Sequence, residues 1–126
     1  MNPTISCNAF AGITTQTIKI GHIKKKKVIM LIDSRSTHNF IRCKIANELN
    51  YFLYRAPECQ EIVANGGTIN CSGKCHNIKL SMGEYVMNSS MISIPMGCVD
   101  VVLEVQRLQS SGTIDFLEFF LGRKGS

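Results

Sequence analysis

Short apolar runs separated by polar turns make up most of this chain, and their lengths predict β-strands. Residues 16–23 and 27–33 form two such runs around a turn of four lysines, Lys24 to Lys27. A charged turn between two apolar runs is typical of a solvated hairpin. Residues 99–103 form another apolar run, which predicts a fully buried strand.

The middle of the chain continues this pattern with further strands and tight turns. Residues 58–64 predict one strand, and the sequence Asn65-Gly66-Gly67 after them predicts a tight turn. Apolar residues then alternate with polar ones from residue 68 to residue 82, and Gly83-Glu84 predicts a second turn. Residues 85–95 complete the set of strands, so the whole pattern predicts a mainly β domain.

Helical spacing occurs in two short segments. In residues 39–49 the apolar positions recur at helical intervals through Ile45 and Leu49, which predicts a short helix packed on the sheet. Residues 37–39 are candidates for its N-cap. Residues 102–110 predict a second short helix. The domain is therefore expected to contain one or two short helices.

The length and composition predict one domain. The chain has 126 residues and 44% apolar content, enough for a hydrophobic core. We assign residues 1–15 to a poorly ordered leader or linker, 16–121 to the domain and 122–126 to a tail. There is no run of the ~18 apolar residues that a membrane span needs, and no signal peptide pattern. These features predict an intracellular, cytoplasmic protein without a membrane partner, or a piece of a longer polyprotein.

Six cysteines are scattered along the chain: Cys7, Cys43, Cys59, Cys71, Cys75 and Cys98. Without a secretory signal, they are predicted to be reduced thiols rather than a disulfide framework. Cys71, Cys75 and His76 raise the question of a metal. In a strand the two cysteines would lie about 13 Å apart, too far to share a zinc ion. The sequence therefore predicts no metal site.

A net charge of +5 and a pI near 9.0 raise the question of nucleic-acid binding at Lys24 to Lys27. A solvated hairpin turn explains these lysines better, because no aromatic residues interleave with them to stack on bases. No specific nucleic-acid partner is predicted. A basic nucleic-acid-binding β-barrel remains the less favoured alternative, and it predicts salt-sensitive binding.

The most informative stretch is the apolar run from Ile29, which ends in Asp33. It predicts a buried strand that delivers a carboxylate to a fixed place, although a strand ending at the surface gives the same pattern. The residues that follow are Ser34-Arg35-Ser36-Thr37-His38-Asn39-Phe40-Ile41. Together with Asp33 they resemble the Asp-Ser-Gly-Ser/Ala-Thr-His-Asn-Phe-Ile signature of the aspartic proteases of plant Ty3/gypsy retrotransposons. Arg35 stands where that signature has glycine.

Three further segments resemble the same family, in the same order along the chain. Residues 62–73 resemble its flap hairpin, 99–103 resemble the apolar strand after it, and 112–116 resemble its closing strand. The resemblance covers residues 18–116. It implies a retropepsin-like closed β-barrel that carries half of an aspartic protease site.

The resemblance also assigns the chemistry of the site. Aspartic proteolysis needs two carboxylates that share one proton. This chain has one Asp-Ser-x-Ser motif, so it supplies one of the two carboxylates. It therefore implies a homodimer in which Asp33 of each copy is catalytic. Asp100 and Asp115 are disfavoured as partners within one chain, because neither lies in an Asp-Ser/Thr-Gly context. No cofactor is implied.

The family motif places other residues around the catalytic carboxylate. The active-site loop would consist of Ser34, Arg35, Ser36 and Thr37, and Ser34 would form hydrogen bonds across the two-fold axis. The flap that closes over an extended peptide would consist of Asn65, Gly66, Gly67 and Thr68. The implied substrate is a Gag-Pol polyprotein, which is cut at extended apolar sites.

Three charged residues depart from the family pattern. Arg35 and Glu104 replace glycines, and Arg107 stands where an aromatic residue is usual. A guanidinium beside the dyad favours two ionised aspartates over the singly protonated pair that catalysis needs. Weak or absent activity is therefore predicted, unless Glu104 and Arg107 compensate each other at i, i+3 on one helix. The alternative is a noncatalytic peptide-binding or dimerisation module of the same fold.

Overall fold

The computed structural model describes residues 4–5, 17–33, 36–59, 62–64, 67–95 and 99–104. Six strands in these ranges form a closed barrel. In spatial order they are β2 (Thr17–Ile23), β3 (Lys26–Asp33), β9 (Val101–Glu104), β4 (Phe40–Arg42), β8 (Tyr85–Ile94) and β7 (Gly73–Met82). The predicted mainly β fold with a closed barrel is confirmed.

A separate three-stranded sheet lies beside the barrel. It consists of β1 (Thr4–Ile5), β5 (Ile62–Ala64) and β6 (Gly67–Ile69), in that order. β5 and β6 pair antiparallel, with Ile62 opposite Ile69 and Ala64 opposite Gly67. The hairpin predicted around residues 65–67 therefore forms, and β1 adds to it in parallel.

The four lysines lie in and beside the turn of the β2–β3 hairpin, as the sequence predicts. Ile23 pairs with Lys26, so the turn consists of Lys24 and Lys25. Their φ angles are 49° and 71°. Two successive positive φ angles are typical of a type I′ turn, whose twist suits a two-residue hairpin.

Two of these lysines contact the segment around the end of the helix. Lys24 Nζ donates a hydrogen bond of 2.9 Å to the Leu49 carbonyl oxygen and lies 4.1 Å from the centroid of the Tyr51 ring. Lys26 Nζ lies 3.0 Å from Glu48 Oε2. The hydrogen bond from Lys26 lowers the pKa of Glu48. These contacts give the turn a structural role.

β3 is a central strand of the barrel. It pairs antiparallel with β2 and in parallel with β9, in a register that runs from Met30 opposite Val101 to Asp33 opposite Glu104. The last four residues of β3 and all four of β9 are buried. Strands covered on both faces have continuous apolar runs, which explains why the sequence pattern located these two strands well.

The barrel closes where β2 meets β7. His22 pairs with Ser81 at this junction. A Cβ atom on Gly21 would lie 2.8 Å from Met30 Sδ and 2.9 Å from the Ser81 carbonyl oxygen. Only glycine allows the two strands to approach this closely.

The helix begins later than the sequence predicts. α1 covers Cys43–Glu48, and its N-cap residue Arg42 makes no side-chain capping hydrogen bond. The prediction that residues 37–39 cap the helix is therefore wrong. Phe40 and Ile41 belong to β4, where both are completely buried. Pairing with β8 and β9 outweighs the helical spacing of these residues.

The predicted strands of the middle segment are too long. Instead of one strand over 58–64, Pro57–Cys59 form a 3-10 helix and β5 begins at Ile62. The alternating stretch 68–82 is interrupted between β6 and β7. The break precedes Gly73, whose φ of 148° and close contact with Leu53 Cβ exclude a side chain. The predictions over 85–95 and 99–103 match β8 and β9 within two residues.

Two hydrophobic clusters pack on the two faces of β3 and β9. Met30, Ile32 and Val101 belong to the larger cluster, which also includes Ile45 of α1. The second, here called the outer cluster, consists of Leu31, Phe40, Ile62, Ile92, Ile94, Val99 and Val102. Cys59, Ile69 and Cys71 pack against it. The outer cluster thus joins the β5–β6 hairpin to the barrel.

The structure corrects the prediction that the cysteines are reduced thiols. Cys59 and Cys71 form a disulfide with their Cα atoms 5.1 Å apart. They are 12 residues apart in sequence, and the hairpin between them folds back and brings them together. Cys71 precedes β7, so the separation from Cys75 expected for a common strand does not apply. Cys43 and Cys75 are free.

Several predictions lie outside the described residues. They concern Ser34, Arg35, Asn65, Gly66 and everything after residue 104, including Arg107 and the closing strand at 112–116. Of the predicted leader, only β1 is described, so the domain boundaries stay predictions. None of the described helices is long and apolar enough to span a membrane.

Candidate active site

Asp33 is the last residue of β3 and is completely buried. Pairing with β2 and β9 fixes the strand on both sides up to this residue. The apolar run therefore delivers a carboxylate to a fixed, dry position, as the sequence predicts. The predicted closure of the hairpin tip over a peptide stays a prediction, because Asn65 and Gly66 lie outside the described residues.

Ser36 lies beside the carboxylate of Asp33. Ser36 Oγ donates a hydrogen bond of 3.1 Å to Asp33 Oδ2, and Ser36 is itself buried. Thr37 Oγ1 and His38 Nδ1 lie 3.0 Å apart, within hydrogen-bonding distance of each other. Ser36 thus orients the acid, whereas Thr37 and His38 contact each other farther along the loop.

Glu104 is the register partner of Asp33 on β9. Neighbouring strands lie about 4.8 Å apart, and paired residues project to the same side of a sheet. Glu104 is 7% exposed, so the chain buries two acidic side chains next to each other. The sequence marked Glu104 as a departure from the family but did not reveal its position beside Asp33.

Asn39 connects the site to the strands around it. Its Oδ1 accepts a hydrogen bond of 2.7 Å from the Glu104 amide, and its Nδ2 donates one of 2.7 Å to Ser89 Oγ. Its backbone carbonyl accepts a hydrogen bond from the Ile92 amide. Sequence reasoning took Asn39 for a helix cap and missed this role. The sequence signal for this role was the position of Asn39 within the family signature, in the segment Thr-His-Asn-Phe.

Asp100 has a structural role at the other end of β9. Its Oδ2 accepts a hydrogen bond of 2.9 Å from the Ile29 amide, and its Oδ1 lies 3.4 Å from Arg42 Nη1. Its backbone exchanges further hydrogen bonds with the same two residues. Asp100 thus links the start of β9 to β3 and β4 through hydrogen bonds. This structural role agrees with the interpretation that Asp100 is not the catalytic partner of Asp33.

Two of the four predicted flap residues are described, and both belong to the β5–β6 hairpin. Gly67 and Thr68 lie in β6 and are exposed. Ile62 at the base of the hairpin is completely buried in the outer cluster, which also contains Leu31 of β3. The hairpin is therefore buried at Ile62 and exposed at Gly67 and Thr68, and its role as a flap stays a prediction.

A cavity of about 460 Å³ lies at the base of this hairpin. The described residues that line it are Arg55, Ala56, Pro57, Cys59, Cys71, Ser72 and Gly73. Asp33 is not among them. In the described ranges, no group of three or more His, Cys, Asp or Glu side chains is arranged to hold a metal ion.

Comparison with known structures identifies the fold. The chain superimposes on the protease of EIAV in complex with the inhibitor HBY-793, with a TM-score of 0.61 and 16% identity over 79% of this chain and 91% of the other. It also superimposes on the retroviral protease-like domain of Ddi1 from Leishmania major, with a TM-score of 0.59 and 12% identity over 78% of each chain. No family model and no curated protein matches the sequence.

These similarities agree with the geometry of the barrel. Sequence identity is low, so the comparison shows the fold alone. The closed barrel, the buried acid at the end of β3 and the anchored hairpin are arranged in a retropepsin-like fold.

Proposed function

We propose that this chain is an aspartic endopeptidase domain of a Ty3/gypsy-type retrotransposon, which acts as a homodimer on an extended segment of a Gag-Pol polyprotein. The observation that carries the proposal is Asp33, a buried acid at the end of a barrel strand and hydrogen-bonded by Ser36. A retropepsin-like fold with a single motif provides half of an acid pair. The second half would come from another copy of Asp33.

The position of Asp33 supports this assembly. Ser36 holds the carboxylate on one side, and β9 covers the strand on another. The catalytic pair would form where two such strand ends meet across a two-fold axis. One carboxylate would take a proton from the attacking water, and the other would donate a proton to the peptide carbonyl.

Two residues oppose efficient catalysis in this copy. Arg35 follows Asp33 by two positions, so a dimer built on Asp33 brings two guanidinium groups near its axis. Like charges that are close together repel each other, and a cation beside the pair favours full ionisation. Glu104 adds a buried acid next to Asp33. We therefore propose that this copy is a weakened peptidase.

A second function within the same fold is a noncatalytic peptide-binding or dimerisation module. The burial of Glu104 beside Asp33 favours it, because the additional acid disturbs proton sharing without blocking the hairpin or the barrel. Such a module would bind extended peptides and leave them intact.

Peptide cleavage by the wild type and two variants tests both proposals. An extended apolar peptide library is incubated at mildly acidic pH with the wild type, with Arg35→Gly and with Arg35→Gly/Asp33→Asn. We expect slow or no cleavage by the wild type, clear cleavage by Arg35→Gly, and none by the double variant. Peptide binding without cleavage in all three would support the noncatalytic module. Cleavage that persists without Asp33 would overturn the peptidase assignment.

A further inference from the structure

The Cys59–Cys71 disulfide closes the base of the β5–β6 hairpin. Cys59 ends the 3-10 helix before β5, and Cys71 lies two residues after β6. Between them, Ile62 and Ile69 form the first strand pair. A covalent link outside this pair prevents the two strands from separating at their base.

The disulfide also lies where the hairpin meets the barrel. Both cysteines pack against the outer cluster, which contains Leu31 of β3 and Val102 of β9. Leu31 is two residues from Asp33 on the same strand. The disulfide-linked base of the hairpin therefore packs against the strands that carry Asp33 and Glu104.

Both cysteines line the cavity of about 460 Å³. Pockets of roughly 300–1,000 Å³ hold small molecules. Both cysteines are half-buried, so part of each residue is exposed to solvent. Arg55 is exposed and contributes a positive charge to the cavity lining. The Gly73 amide donates a hydrogen bond of 3.2 Å to Cys71 Sγ.

The two free cysteines in the described ranges differ from this pair. Cys75 is completely buried, and burial raises the pKa of its thiol to about 11. Cys43 Sγ accepts a hydrogen bond of 3.2 Å from Ser72 Oγ. Neither is among the described residues that line the cavity. Within the described ranges, the cysteines that meet the cavity are therefore the two of the disulfide.

We propose that this cavity is a thiol–disulfide exchange site for a small anionic thiol of the glutathione class, and that exchange at Cys59–Cys71 controls the opening of the β5–β6 hairpin. Glutathione carries two carboxylates, which a guanidinium such as that of Arg55 binds through charge-assisted hydrogen bonds. The exchange itself is independent of the proposed peptidase function. Its effect on substrate access rests on that function.

The exchange takes place in two steps. A glutathione thiolate attacks Cys59 Sγ, a new S–S bond forms between them, and the bond to Cys71 breaks. Cys71 leaves as a thiolate, which the hydrogen bond from Gly73 stabilises, and takes a proton from water. A second glutathione thiolate then attacks the glutathione sulfur of the mixed disulfide. It releases oxidised glutathione and leaves Cys59 as a thiolate, so one disulfide is reduced and one is formed.

Hydrogen exchange combined with cysteine mapping tests the proposal. The protein is equilibrated with oxidised or reduced glutathione, alkylated, digested and analysed by mass spectrometry. We expect Cys59 and Cys71 to be linked to each other in the oxidised sample and alkylated in the reduced one. Cys43 should be alkylated in the reduced sample, and either alkylated or joined to glutathione in the oxidised one. Reduction should speed amide exchange in residues 62–69 by at least about tenfold and leave β7 and β8 unchanged. Unchanged exchange, or free Cys59 and Cys71 in oxidised glutathione, would overturn the proposal.

Two thiols of opposite charge test the anionic specificity. The rate of disulfide reduction is measured with glutathione and with the cationic thiol cysteamine, for the wild type and for Arg55→Gln. We expect Arg55→Gln to slow disulfide reduction by glutathione about two- to fivefold. The rate of reduction by cysteamine should stay the same or rise. Equal effects on both thiols would reject the role of Arg55. Cys43→Ser is the matched control and should keep wild-type rates with both thiols.

Discussion

Asp33 and Glu104 lie side by side at the ends of two parallel strands, and both side chains are buried. Like charges on neighbouring strands repel each other, and a directly opposed pair in an antiparallel sheet costs up to about 1 kcal/mol. We therefore expect Glu104→Gln to raise the free energy of unfolding by about 1 kcal/mol, measured by urea denaturation. A clear loss of stability would show instead that the charge of Glu104 supports the fold.

Removal of the Glu104 side chain should also affect catalysis. In the Arg35→Gly background, Glu104→Gly restores the second glycine of the family pattern and removes the additional acid beside Asp33. We expect peptide cleavage to increase further over Arg35→Gly alone, measured as kcat/KM on one extended peptide. An unchanged kcat/KM would show that Glu104 does not disturb the catalytic pair.

Arg35 should control dimerisation. Two guanidinium groups near a two-fold axis repel each other, so we expect the wild type to be mostly monomeric at micromolar concentration and Arg35→Gly to shift it toward dimer. Sedimentation velocity measures both states. Arg55→Gln is a matched control that removes an arginine outside the active-site loop. A tight wild-type dimer, or an equal shift in both variants, would reject this electrostatic explanation.

Asn39 should be needed for stability. Its buried side chain forms hydrogen bonds with the Glu104 amide and with Ser89 Oγ. Asn39→Ala therefore removes both of these hydrogen bonds. We expect a loss of about 2–3 kcal/mol in the free energy of unfolding. Asn88→Ala, an exposed asparagine of β8, is the control and should change stability by less than about 0.5 kcal/mol. Equal effects of the two substitutions would contradict the role of Asn39.

The raised pKa of the Cys75 thiol should make the stability of the fold depend on pH in the alkaline range. Burial raises its pKa from 9.0 to about 11 in the folded protein, so the folded state holds the thiol proton more tightly than the unfolded state. This contribution is fully present below about pH 9 and is lost as the pH rises toward about 11. We expect the stability difference between the wild type and Cys75→Ala to shrink over this range. Parallel curves in urea denaturation would contradict the burial of this thiol.

The strands that the sequence predicts well are those that are buried on both faces. β3 and β9 are covered on both faces, so their apolar runs appear in the sequence without interruption. Asp33 was found for the same reason, since it ends such a run. The family motif added its chemical role, which the apolar pattern alone left open.

The structural features that sequence analysis did not predict depend on contacts between residues that are distant in sequence. Phe40 and Ile41 have helical spacing, but pairing with β8 and β9 makes them a strand. Glu104 lies beside Asp33 only because β9 pairs in parallel with β3, 71 residues later in the chain. The Cys59–Cys71 link likewise depends on the fold of the hairpin between them. Such pairings are set by tertiary structure, which local patterns do not encode.

The central claim is that one chain carries half of an aspartic protease site. Two copies of the Arg35→Gly chain joined by a flexible linker test it most directly. We expect the joined pair to cleave peptides, and Asp33→Asn in one copy alone to lower kcat by at least about a hundredfold, because each site needs both carboxylates. A fall to about half of the original rate would show that each chain holds a complete site, and would contradict the claim.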